Sequence, residues 1–180
     1  DDTAHAIDRF RQALEADPGL GNAWLGLGLC EIHQGDVSNG LQHIQMAVVS
    51  EPQRSFLRSY LGKAYHVAGR PDLAGKELRR AAELDPADPT PWLYSALVKR
   101  QQNEVNAAVR DLERSKELND NRSVYRSGLL LDQDRAVRGA NLAAVYRDAG
   151  LEEVSIREAS RAVESDPANS SAHLFLAESY

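Results

Sequence analysis

Small and large apolar residues recur along this chain in a fixed order, and that order repeats every 34 residues. Three prolines set the frame: Pro18, Pro52 and Pro86 stand 34 apart, and Asp120 falls at the next interval. With the proline at repeat position 32, complete repeats lie at 21–54, 55–88, 89–122 and 136–169, flanked by partial ones at 1–20 and 170–180. Positions that played no part in setting the frame test it. Position 8 reads Gly28, Gly62, Ala96, Ala143 and Ala177; position 20 reads Ala6, Gly40, Ala74, Ala108 and Ser155; position 27 reads Ala13, Ala47, Ala81, Ser115 and Ala162. Every one is small, as two helices about 8–10 Å apart require where their backbones cross. Larger fillers belong between the crossings. Position 24 supplies Phe10, Ile44, Leu78 and Leu112, with Ala159 departing, and position 7 supplies Leu27, Leu61, Leu142 and Leu176, with Ser95 departing.

Each repeat therefore predicts two helices, and the chain punctuates them. Position 15 reads Gly35, Gly69, Asn103 and Gly150, the residues best able to close a helix in the left-handed region. The position-32 proline drives its predecessor out of helical dihedrals, so Asp17, Glu51, Asp85 and Asp166 should end the second helices. Asp88 before Pro89 predicts an N-cap with proline at the first helical position. The fold class expected is all-α, a right-handed superhelix of helix-turn-helix repeats.

The run Trp24, Leu27, Gly28, Ala47, Pro52 resembles the tetratricopeptide repeat, as does Leu61, Gly62, Tyr65, Ala74, Ala81, Pro86. Leu142, Ala143, Tyr146, Ala162 and Pro167 match more loosely. The third repeat departs most, with Ser95 and Lys99 in place of Leu and Tyr and Asp120 in place of proline. The resemblance covers nearly the whole chain and implies a scaffold for protein–protein interaction, without catalysis and without a cofactor.

It also implies that positions 2, 5, 6, 9, 12 and 13 of each first helix line a concave groove. The expected partner-binding residues are Leu25, Leu29, Phe56, Tyr60, Lys63, His66, Leu93, Tyr94, Leu97, Arg100, Asn141 and Arg147. Together they make an apolar and aromatic wall with basic tips, suited to an extended or helical peptide carrying an acidic group. One known variant of this groove is excluded. Clamps for a terminal carboxylate place Lys, Asn, Asn, Lys and Arg at five set positions, where this chain has Leu25, Leu29, Tyr60, Thr90 and Tyr94.

Composition narrows the functions further. Apolar residues make up 42% and charged residues 27%, a globular balance. The net charge of −6 disfavours nucleic acid, whose backbone calls for a basic face. No apolar run approaches the ~20 residues of a membrane span. The single Cys30 rules out an internal disulfide framework and a multi-cysteine zinc site, and it reads as a core thiol. The five histidines show no metal-ligand spacing, and Gly26-Leu27-Gly28 lacks both the third glycine and the preceding strand of a dinucleotide fingerprint.

Two irregularities remain. Residues 123–135 are additional to the frame and read as a connector, either packing its leucines or starting the next helix early, or else as a specialised contact element. The partial repeats at the two ends are unmated helices, which predicts a fragment of a longer protein and association between copies through those ends. Two other readings stay open: a non-catalytic segment of a larger enzyme or cell-envelope assembly protein, and a structural homo-oligomer. The compartment is left open between cytoplasm and bacterial periplasm.

Overall fold

Helices begin and end where the repeat frame places its glycines, acids and prolines. The structure, a computed structural model, describes residues 2–118 and 131–179. It contains α1 (Asp2–Ala16), α2 (Gly21–His33), α3 (Val37–Ser50), α4 (Ser55–Val67), α5 (Pro71–Leu84), α6 (Thr90–Gln101), α7 (Val105–Glu117), α8 (Leu131–Asp148), α9 (Glu152–Ser165) and α10 (Ser170–Ser179). There is no strand among the described residues. The chain is all-α and of the α-α superhelix class, built from antiparallel helix pairs. It divides into two compact units, Asp1–Asp85 and Pro86–Tyr180.

The turns inside the pairs obey the expected chemistry. Gly35, Gly69 and Gly150 have φ of 92°, 71° and 76°, and Asn103 takes the same left-handed conformation at 62°. At the far end, Glu51, Asp85 and Asp166 leave helical dihedrals with ψ of 72°, 94° and 95°. Acids at this position can then cap the turn beyond the helix. Asp17 accepts from the Gly19 N–H at 2.8 Å and Asp166 from the Ala168 N–H at 3.0 Å. The expected start of α6 is corrected by one residue: Pro89 is the N-cap and the helix begins at Thr90, whose N–H donates to Asp88 at 2.8 Å.

In the first unit, α2 pairs with α3 and α4 with α5. A Cβ placed on Gly28 would lie 2.6 Å from the Gly40 carbonyl oxygen, and one on Gly40 equally close to that of Gly28. The backbones thus touch at positions 8 and 20. Ile44, Ala47, Ala74, Leu78 and Ala81 fill the surrounding core and are fully or almost fully buried.

The second unit repeats the arrangement with α6 on α7 and α8 on α9. Ala96, Ala108, Ala143 and Ala159 are wholly buried. Where position 20 carries Ser155, its hydroxyl donates to the Ala143 carbonyl at 2.9 Å, so the close crossing is kept and the polar atom is satisfied. Ser115 does the same at position 27, donating to the Pro89 carbonyl at 2.9 Å. Of the predicted connector 123–135, residues 123–130 lie outside the described residues, and 131–135 form the start of α8.

A further contact recurs that the frame had not suggested. Position 4 reads Trp24, Arg58, Trp92, Gly139 and His173, and all but Gly139 carry a side-chain nitrogen donor. The Trp24 indole N–H donates to the Pro18 carbonyl at 2.8 Å, Arg58 Nε to Pro52 at 2.9 Å and His173 Nε2 to Pro167 at 2.9 Å. A helical side chain leans back over the turn before it, which brings position 4 onto the position-32 carbonyl. Trp92 departs from the rule: its Nε1 is buried without a hydrogen-bond partner.

Candidate binding surface

The predicted groove residues sit on the first helices of the pairs, and the structure sorts them by depth. In the first unit, Leu25 and Leu29 lie on α2, and Phe56, Tyr60, Lys63 and His66 on α4, with α2 and α4 in contact. In the second, Leu93, Tyr94, Leu97 and Arg100 lie on α6, and Asn141 and Arg147 on α8. The two sets are described separately.

In the complete repeats position 5 does not line a surface. Leu25, Ser59, Leu93 and Ala140 are 5%, 0%, 9% and 9% exposed, so Leu25 and Leu93 are corrected from groove wall to core. Leu93 belongs to a buried cluster with Ala96, Ala108, Leu112, Leu142 and Val145, against which Tyr94 packs. Tyr60 is likewise corrected: its ring is buried, 4.8 Å from the Phe56 ring. At position 6 of the first complete repeat, Gly26 leaves a hollow that the Phe10 ring of α1 occupies, since a Cβ there would meet the ring at 2.3 Å.

The remaining positions stay open. Leu29, Lys63 and Leu97 at position 9 are half-buried, as are Ile32, His66 and Arg100 at position 12, while Arg147 is exposed. Position 13 is exposed throughout, with His33, Val67, Gln101 and Asp148. Phe56 and Asn141 are half-buried. The cations are held by neighbours. Lys63 Nζ lies 5.7 Å from the centre of the Tyr60 ring and the Arg147 guanidinium 4.4 Å from that of Phe175. Arg100 Nε donates to Asp148 at 2.7 Å, tying α6 to α8.

Burial pushes the His66 pKa below the ordinary histidine value, and its Nδ1 is buried without a partner. Burial, with Glu31 adding repulsion, raises the Cys30 thiol away from the thiolate, in keeping with a packing role. Tyr146 is also pushed up, by burial first and then by its hydrogen bond to Glu113.

Position 11 holds pairings that helical periodicity does not reveal. Where it carries tyrosine, the hydroxyl reaches position 25 of the preceding repeat: Tyr65 accepts from Gln45 Nε2 at 2.9 Å, and Tyr146 donates to Glu113 at 2.7 Å. Where it carries a charge, it pairs within its own repeat at position 23: Glu31 with His43 at 2.5 Å and Lys99 with Asp111 at 2.5 Å. His43 also stacks on Trp24 with ring centres 5.4 Å apart. Opposite polarity 12 residues apart was the readable signal.

Comparison with known proteins agrees with this fold. The family profile of the tetratricopeptide repeat matches residues 1–55. The cell division cycle protein 27 homolog B of Arabidopsis thaliana is 32% identical over 75 residues, which are 42% of this chain and 10% of that protein. The chain thus spans about a tenth of that relative's length. Among solved structures, TTC0263, a thermophilic TPR protein of Thermus thermophilus, superposes with a TM-score of 0.83 at 19% identity over 98% of this chain and 90% of its own. YrrB, described as a TPR protein with an unusual peptide-binding site, gives 0.61 at 18% identity over 96% and 82%.

Proposed function

Since residues 1–55 match the tetratricopeptide-repeat family and the chain has the fold of tetratricopeptide-repeat proteins, we propose that it holds a partner peptide or helix on the open face of its first helices. Repeat arrays of this kind are interaction scaffolds and use extended concave surfaces for binding. The observation that carries the reading is the depth of positions 9, 12 and 13. In the first unit Leu29, Ile32, Lys63 and His66 remain half-buried, and in the second Leu97 and Arg100 are half-buried and Arg147 is exposed, although their neighbours at position 5 are core. A mixed apolar and basic strip of this sort suits a peptide that buries an apolar residue and brings a carboxylate. The reading calls for no cofactor and no reaction step.

Tyr60 and Tyr94 are poor probes of this surface, because one is buried and the other packs on a core cluster. Leu29→Ser combined with Leu97→Ser tests it better. The pair should lower capture of the protein's partner in a pull-down from its own cells by at least about tenfold, as loss of an interface anchor does. Far-UV circular dichroism should be unchanged. Normal capture by the double variant would remove the open face as the binding site.

A further inference from the structure

The second unit carries another concave feature, formed by the second helices of its pairs and the face of α8 between them. It is a cleft of about 670 Å³ lined by α7, α8 and α9. Its apolar surface is the half-buried Tyr146 and the exposed Val154, with the buried Leu142 beneath them. Along the α7 side stand Glu113 and Glu117, and along the α9 side Arg157 and Arg161. Each pair is spaced i, i+4, forming a rail of like charge, and each wall also carries one opposite charge between its members, Lys116 on α7 and Glu158 on α9.

Like charges at that spacing weaken the helix that carries them unless something opposite meets them. Here the two rails do not meet each other. Glu113 accepts from the Tyr146 hydroxyl, and Glu117 pairs with Arg114 on its own helix at 3.1 Å. Arg161 approaches Glu158 at 3.7 Å, and Arg157 has no ion-pair partner among the described residues. The contact that does join the walls is Lys116 with Glu158, two side chains that also line the cleft.

From this arrangement we infer a second interaction surface, which takes an amphipathic partner helix whose apolar seam is flanked by bases on one side and acids on the other. The apolar residues receive the seam, as in helix-in-groove recognition. The partner's bases then face Glu113 and Glu117, and its acids face Arg157 and Arg161. Charge complementarity of this kind fixes orientation and rejects uniformly charged helices. This surface is separate from the open face of the first helices and does not depend on it.

The test uses three stapled helical peptides with the same leucine seam: one flanked by lysine and glutamate, one by lysine on both sides, one by glutamate on both. Fluorescence anisotropy with the intact protein should give the mixed peptide at least about tenfold tighter binding than either uniform one. Arg157→Glu with Arg161→Glu makes both rails acidic and should move the preference to the lysine-flanked peptide. Equal binding of all three, no binding of the mixed peptide, or an unchanged preference in the reversed variant would each overturn the inference. The Leu29→Ser, Leu97→Ser protein should bind the mixed peptide normally, which separates this surface from the other.

Discussion

At the scale of single residues, space decides what a glycine is for. Gly28 touches the backbone of Gly40, and a methyl there would sit 2.6 Å from a carbonyl oxygen that belongs to a packed helix. Gly75 lies inside α5 and a Cβ on it would meet nothing within 4 Å. The same substitution should therefore act in opposite directions. Gly75→Ala should stabilise by up to about 1 kcal/mol, by removing backbone freedom from the unfolded chain. Gly28→Ala should cost roughly 1–3 kcal/mol through overpacking. Urea denaturation with an unchanged slope would measure both, and equal effects would contradict the crossing geometry.

At the scale of elements, the third repeat shows how a departure from the family pattern is accommodated. Lys99 replaces the tyrosine that elsewhere reaches back to the preceding repeat, and it pairs instead with Asp111 on α7. Asp111 is largely buried, so its carboxylate relies on that ammonium. Lys99→Met should cost about 1–3 kcal/mol, the penalty of leaving a buried acceptor unsatisfied. Lys99→Met with Asp111→Leu should recover most of the loss, because the pair's desolvation disappears with it. Chemical denaturation of the two variants checks this, and a double variant no better than the single one would mean that Asp111 is held by something else. The serines at positions 20 and 27 make a related point: a hydroxyl is accepted at a close crossing when a carbonyl stands within reach.

At the scale of the whole molecule, stability should depend on pH through His66. Its folded pKa lies below the unfolded value of about 6.5, because burial disfavours the charged ring. Between those two values the unfolded chain holds the proton and the folded chain does not, so folding weakens as pH falls below about 6.5 and levels off under the folded pKa. Thermal melts from pH 7.5 to 5 should show this decline, and His66→Gln should flatten it. An unaltered profile in the variant would assign the dependence to other groups. No helix among the described residues is long and apolar enough to cross a membrane.

The sequence alone determined the two-helix repeat and its register. Small residues at 8, 20 and 27, left-handed closers at 15 and proline at 32 each answer to local sterics, which a linear pattern records directly. It also named a candidate face, since helical periodicity says which way a residue points. It could not say how deep that residue lies. Leu25, Leu93 and Tyr60 looked like wall and are core, whereas Leu29 and Leu97, equally apolar, stay half open. Depth is set by how the next element packs against the helix, a property of neighbours and not of the residue. The tertiary structure likewise decided the long-range pairings, Arg100 with Asp148 and Tyr146 with Glu113, and the facing of unlike rails across α7 and α9. These join residues tens of positions apart, and only the stacking of one helix pair on another brings them within reach.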